Sequence, residues 1–235
     1  AIPEKPTFAE IEIVFNAPLP PMSVTSFTIK SEEGGVKPTF LENAARDIVI
    51  ENQHLSLAFS ATTGKLVSMH NKDSRVTETV SQDFAYYVGH QSGPRPSGAY
   101  VFVPRDKKPV VVEPNSVDIK VIKGKVVQEV HQRFSNWVSQ VVRLYNGTKY
   151  AEFQWIVGPL DNDIGREVIS KFTTSLNSDN SFYTDSNGRE IIQRIRNTAE
   201  SGNTKIKDYI SGNYYPITSR IYIQDEIKRS RLTVL

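Results

Sequence analysis

From Asp47 onward, apolar and polar residues alternate in short runs, and each run closes on a cluster of turn formers. A period of two puts successive side chains on opposite faces of an extended backbone, so this pattern suits half-buried strands. Leu55, Leu57 and Phe59 share one face, Thr62-Thr63-Gly64-Lys65 turns the chain, and residues 66–69 resume it. Val117, Ile119 and Val121 alternate again before Gly124. Residues 126–144 read as two strands meeting near 134–137, and Asn146-Gly147 turns the second into a strand over 150–157. Ile217, Ile221 and Ile223 mark a last long strand, followed by Leu232 and Val234. Ile191, Ile192 and Ile195 fit helical as well as strand spacing, and their strand neighbours decide for a strand. The reading is an all-β protein of packed sheets, with more strands than one small barrel uses.

Ahead of Asp47 the pattern is interrupted. Residues 10–15 alternate, Pro18, Pro20 and Pro21 break the run, and residues 23–30 resume with Phe27 and Ile29 inward. These two predicted strands look like the end of a small sandwich. Residues 31–39 (SEEGGVKPT) are polar and glycine-bearing, which suits a linker. The chain opens on AIPEKP and stops within the alternating RLTVL, so the expectation is a piece of a longer polypeptide. A formal net charge of +2 is too small to argue for nucleic acid, and no apolar run approaches the roughly 20 residues that cross a bilayer. With no cysteine there is neither a disulfide nor a thiolate metal ligand.

Motifs with recognisable chemistry are scarce. No HExxH, Walker loop, GxSxG or dinucleotide fingerprint is present. His54, His70, His90 and His131 lie far apart; His131, in VVQEVHQRF, reads as a hydrogen-bonded strand residue. His90, in the long loop over 89–98, could make a polar contact with a partner, but an ordinary loop residue explains it better. Asp161 and Asp163 could chelate a hard cation, but a solvated turn accounts for LDNDIG more simply. Asp185 could serve as a catalytic acid or base, yet its neighbours in TDSNG favour an Asx-turn fixing a hairpin. Lys228, Arg229 and Arg231 read as an exposed strand end. Asn146-Gly147-Thr148 is a glycosylation sequon set in a turn, a triplet that also arises by chance. Residues alone therefore give a β domain without an active site.

Five segments in order carry more. They are SGAYVFVP (97–104), VVQEVHQRFSNWVSQVVRLY (126–145), REVISKF (166–172), FYTDSNGRE (182–190) and GNYYPITSRIYIQDE (212–226). Together they resemble the C-terminal β region of family 38 glycoside hydrolases, the class II α-mannosidases, and above all their lysosomal or acidic branch. The resemblance implies that residues 1–35 are the end of a small β-sandwich with its linker. Residues 36–235 would be the first part of a galactose-mutarotase-like supersandwich. It also implies a retaining, zinc-dependent hydrolase of terminal α-linked mannose on N-glycans and oligosaccharides. The nucleophile and zinc ligands would lie on another segment, so neither a catalytic residue nor a metal ligand is expected in this chain. By the same resemblance Tyr100, the tyrosine of SGAY, is the substrate-binding residue, and other chains of a processed mannosidase are the partners. A homodimer of the assembled enzyme stays open. The compartment implied is the lysosome or vacuole, or the cell exterior, where Asn146 would carry a glycan. The competing class is a non-catalytic sandwich that binds carbohydrate or a partner protein.

Overall fold

The computed structural model describes residues 13–30, 39–42, 47–92, 96–98, 100–198 and 208–235. Among them are fifteen strands and no α-helix, hence no helix long and apolar enough to cross a membrane. The strands are β1 (Thr39–Glu42), β2 (Ile48–Glu51), β3 (Leu55–Phe59), β4 (Leu66–Asn71), β5 (Val76–Val88) and β6 (Val110–Val111). Next come β7 (Asp118–Lys123), β8 (Val127–Arg133), β9 (Val138–Tyr145) and β10 (Glu152–Val157). The last five are β11 (Arg166–Thr174), β12 (Ser181–Ser186), β13 (Glu190–Ile195), β14 (Ile221–Asp225) and β15 (Ser230–Val234).

Every pairing is antiparallel, as short loops between sequential strands allow. One sheet runs β1-β7-β8-β9-β10, and a second runs β11-β5-β4-β3-β2 with β6 beside β5. The third runs β13-β12-β14-β15. The first two sheets face each other. Ile48, Ile50, Leu55, Leu57, Phe59, Leu66 and Val80 from one meet Val121, Val130, Val142 and Leu144 from the other. Burying each such side chain contributes about 1.5–3 kcal/mol, so this seam holds the sandwich closed. A smaller cluster of Phe84, Val117, Phe134 and Val138 extends it, with the Phe84 and Phe134 rings edge to face at 4.9 Å.

A buried amide chain crosses the same interior. Gln82 Nε2 donates to Ser170 Oγ (2.9 Å), and Gln140 Nε2 donates to both Gln82 Oε1 and Gln132 Oε1 (2.9 Å each). Gln132 Nε2 closes the chain on the Gly64 carbonyl at 2.6 Å. The third sheet is tied to the second by loops. Asp225 accepts the Asn177 N–H (3.0 Å), Lys228 reaches the Ser175 carbonyl (3.1 Å), and Leu232 packs on the main core.

The predicted hairpins at 55–69, 127–145 and 182–195 are present, and residues 190–195 are a strand. The two strands predicted before the linker differ. Residues 10–12 and 31–38 lie outside the described residues, and residues 13–15 and 23–30 form no strand. An alternating run becomes a strand only beside a second backbone, and none pairs with this stretch among the described residues. Its apolar side chains Ile13, Phe15, Phe27 and Ile29 stay exposed, with the Phe15 and Phe27 rings 5.0 Å apart. The linker's last residue, Thr39, opens β1. Ile217 likewise precedes rather than joins β14.

Candidate functional site

Asp185, the candidate acid or base, is 2% exposed and saturated with donors. Its carboxylate accepts N–H bonds from Gly188, Thr218 and Ser219 at 2.9 Å and from Arg220 at 3.1 Å, together with the Thr218 hydroxyl. The Thr218 hydroxyl above all, then the Ser219 amide, hold its carboxyl far below the usual carboxylate range. A group so bound is a fixed anion, not a proton shuttle. Through the Gly188 bond Asp185 fixes the hairpin as TDSNG suggests, reaching the amide three residues on rather than the two of an Asx-turn; Asn187 (φ 52°) and Gly188 (φ 68°) complete the left-handed pair of a tight hairpin. The sequence did not indicate that the same carboxylate also reaches residues 218–220. Only a short polar run, Thr218-Ser219-Arg220, hinted at it.

That contact unites two motifs lying roughly thirty residues apart in sequence. On the GNYYP side, Asn213 Nδ2 donates to Asn197 Oδ1 (2.9 Å), and its Oδ1 accepts the Asn197 N–H (2.8 Å). Tyr215 packs edge-on against Phe182 of β12 (5.5 Å), with the Arg194 guanidinium 4.4 Å from its ring centre. Tyr214 turns the other way, stacking on Phe102 of SGAYVFVP at 5.6 Å and 24°. Burial first, then the nearby Glu167 and Tyr87, push the Tyr214 phenol up to about 12.

Phe102 belongs to the loop that bears Tyr100. The base of this loop is tightly bonded: Gly89 N–H to the Gly165 carbonyl (2.9 Å), His90 N–H to the Val103 carbonyl (2.7 Å) and Ser97 N–H to the His90 carbonyl (2.7 Å). Ser97 Oγ donates to the Val103 carbonyl (2.6 Å) and accepts the Val103 N–H (2.9 Å). At the tip, Gly98 N–H meets the Val101 carbonyl at 2.8 Å, and Tyr100 stands in the turn between them, 99% exposed. Beneath the base, Arg166 lies against the Tyr86 and Trp137 rings (5.3 and 5.7 Å) and pairs with Asp161 at 3.2 Å. The arrangement is a braced arm presenting one phenol to its surroundings.

Asp161 and Asp163 lie at the foot of this arm, whereas His131 and the basic residues of 228–231 lie on or beside other strands. Asp161 serves Arg166 from an exposed position, and the Asp163 carbonyl accepts from Gln91 Nε2 (3.3 Å), as a solvated turn would have it. His131 is a strand residue, 2.8 Å from Glu129, whose other oxygen takes Arg143 Nε at 2.5 Å. The His131 contact chiefly, with help from Arg143 and against burial, lowers the Glu129 carboxyl. Lys228, Arg229 and Arg231 are exposed at the β14–β15 turn, as their sequence suggests: Lys228 Nζ donates to the Ser175 carbonyl at 3.1 Å, Arg229 turns the chain at φ 51°, and the Arg231 guanidinium lies 4.1 Å from the Tyr222 ring centre. No group of three or more His, Asp or Glu side chains that could hold a metal occurs among the described residues. The described residues therefore offer no ligand set that fits a zinc ion.

Asn146 is exposed in the β9–β10 turn of the first sheet. Asn52 Nδ2 grips both ends of this turn, through the Tyr145 (2.7 Å) and Thr148 (2.8 Å) carbonyls. Beside it a polar notch of about 180 Å³ is lined by Glu51, Asn52, Lys125, Gln128 and Asn146 among others.

Comparison with known proteins gives a consistent answer. The family model described as "Glycosyl hydrolases family 38 C-terminal domain" matches residues 50–235. The chain is 38% identical to lysosomal alpha-mannosidase of Felis catus over 235 residues, covering 95% of this chain and 23% of that protein. It is 42% identical to lysosomal alpha-mannosidase of Mus musculus over 193 residues (80% and 19%) and 34% identical to alpha-mannosidase of Canavalia ensiformis over 229 residues (94% and 23%). The chain thus spans less than a quarter of the length of these relatives.

Proposed function

The chain belongs to glycosyl hydrolase family 38, whose C-terminal domain it carries, and from this we propose that it is the β region of a retaining α-mannosidase. In this reading the enzyme removes terminal α-linked mannose from N-glycans and oligosaccharides, in the lysosome or vacuole. The nucleophile, the acid/base carboxylate and the zinc ligands sit on another segment, which packs against this one. What this chain supplies is positioning. The Tyr100 hydroxyl can donate to or accept from a sugar hydroxyl, and holding the sugar in one orientation lowers the barrier to attack by a carboxylate.

The observation that carries the proposal is the pairing of a family match over 50–235 with the geometry of Tyr100. That this phenol is 99% exposed on a loop with many backbone bonds at its base supports a contact with something outside this chain. Tyr100→Phe in the full-length enzyme removes one hydrogen bond of about 1 kcal/mol, so kcat/KM on an aryl α-mannoside is expected to fall several-fold. Metal content and melting temperature should not change. Unaltered kinetics would remove Tyr100 from the site. Sugar binding by this chain alone, with no mannosidase segment co-purifying, would turn the assignment toward a binding module.

A further inference from the structure

We propose that Tyr214 is a positioning residue for Tyr100, acting through Phe102; the proposal rests on the reading of Tyr100 given above. Three rings from distant parts of the chain meet where the descending arm of the loop joins the body. Phe102 stacks on Tyr214 at 5.6 Å and 24° and meets Tyr87, at the end of β5, edge-on at 6.2 Å. The tip itself is exposed at Gly98, Tyr100 and Val101, whereas Phe102 is half-buried. The ring two residues from Tyr100 therefore anchors the arm, and Tyr214 forms its stacked side.

Tyr214, 44% exposed, is flanked on both sides by residues with side-chain hydrogen bonds. The Asn213–Asn197 pair fixes the chain just before it, and Asp185 fixes residues 218–220 just after. Tyr215, packed on Phe182 under Arg194, prevents the segment from rotating. GNYYP thus has a division of labour: Asn213 pins, Tyr215 seats the segment on β12, and Tyr214 props the loop. A phenol that must meet a sugar hydroxyl needs its backbone fixed to within about 0.5 Å, and an aromatic stack on a pinned base provides that.

The test is a double-mutant cycle in the full-length enzyme. If Tyr214 acts through Tyr100, Tyr214→Leu lowers kcat/KM by about the same several-fold factor as Tyr100→Phe. The combined variant then falls no further, and Tyr214→Phe, which keeps the ring, behaves as wild type. Hydrogen exchange gives a readout independent of catalysis: in Tyr214→Leu the amides of residues 100–103 exchange faster while those of β8 and β9 do not. Losses that multiply in the combined variant, or unchanged exchange in the loop, overturn the proposal. So does a Tyr214→Leu enzyme with wild-type kinetics beside an impaired Tyr100→Phe. A Tyr100→Phe enzyme with wild-type kinetics removes the underlying reading, and the proposal with it.

Discussion

Asp185 shows how one side chain can look catalytic in sequence and be structural in space. Its oxygens face only donors, so Asp185→Asn would turn an amide NH₂ toward backbone N–H groups that already point inward. A lower melting temperature and a loosened GNYYP segment are expected. The pH dependence follows from the direction of the shift. Because hydrogen bonds from Thr218 and Ser219 depress the folded-state value, the stabilisation is complete above the unfolded value near 4 and disappears as pH falls through the folded value. The melting-temperature gap between wild type and Asp185→Asn should therefore be constant above about pH 5 and narrow steadily in stronger acid. A gap independent of pH would show that the carboxylate's charge is irrelevant. Asp225, depressed by the Lys228 and Asn177 amides, and Glu129, depressed chiefly by His131, act in the same window. An acidic compartment near pH 5 lies on the safe side of it.

Among elements, the turn between β3 and β4 tolerates little change. Gly64 sits at φ +67°, and a Cβ there would lie 2.6 Å from the Val117 carbonyl oxygen. Gly64→Ala is expected to cost about 2–3 kcal/mol, read as a lower urea midpoint, because left-handed strain and a backbone clash add. This turn, like the Asn146-Gly147 and Asn187-Gly188 hairpins, was legible because turn chemistry is local. The boundary between β8 and β9 was legible too, since Phe134 and Trp137 bracket a polar pair. The longest strand, β5, was not. Its inward positions include Glu78 and Gln82 as well as Val80 and Phe84, and two polar residues on the core face erase the alternation. Residues 100–103 form only an isolated bridge at Val101, since Gly98 folds straight back on it. Which rings would meet was likewise beyond the sequence: Phe102 and Tyr214 are brought together only by the packing of the third sheet's loops.

At the scale of the molecule, two antiparallel sheets share an apolar seam, a third is tied on by specific contacts, and the sites divide between them. The arm with Tyr100 rises from the second sheet, and the sequon turn lies at the end of a hairpin in the first. Asn146 is exposed there, so a polypeptide made in a secretory pathway is expected to carry a glycan on it. Glycosidase treatment should then release the mass of one N-glycan that both Asn146→Gln and Thr148→Ala lack. Equal masses for wild type and variants would show the sequon unused. The amide chain from Ser170 through Gln82, Gln140 and Gln132 to Gly64 has a further consequence. Oil-like faces alone can slide over one another by a residue pair at small cost, but a run of interlocked amides matches at one offset and strands its members at every other. The sandwich is thereby keyed, and the loop carrying the phenol inherits a fixed bearing relative to whatever surface it meets.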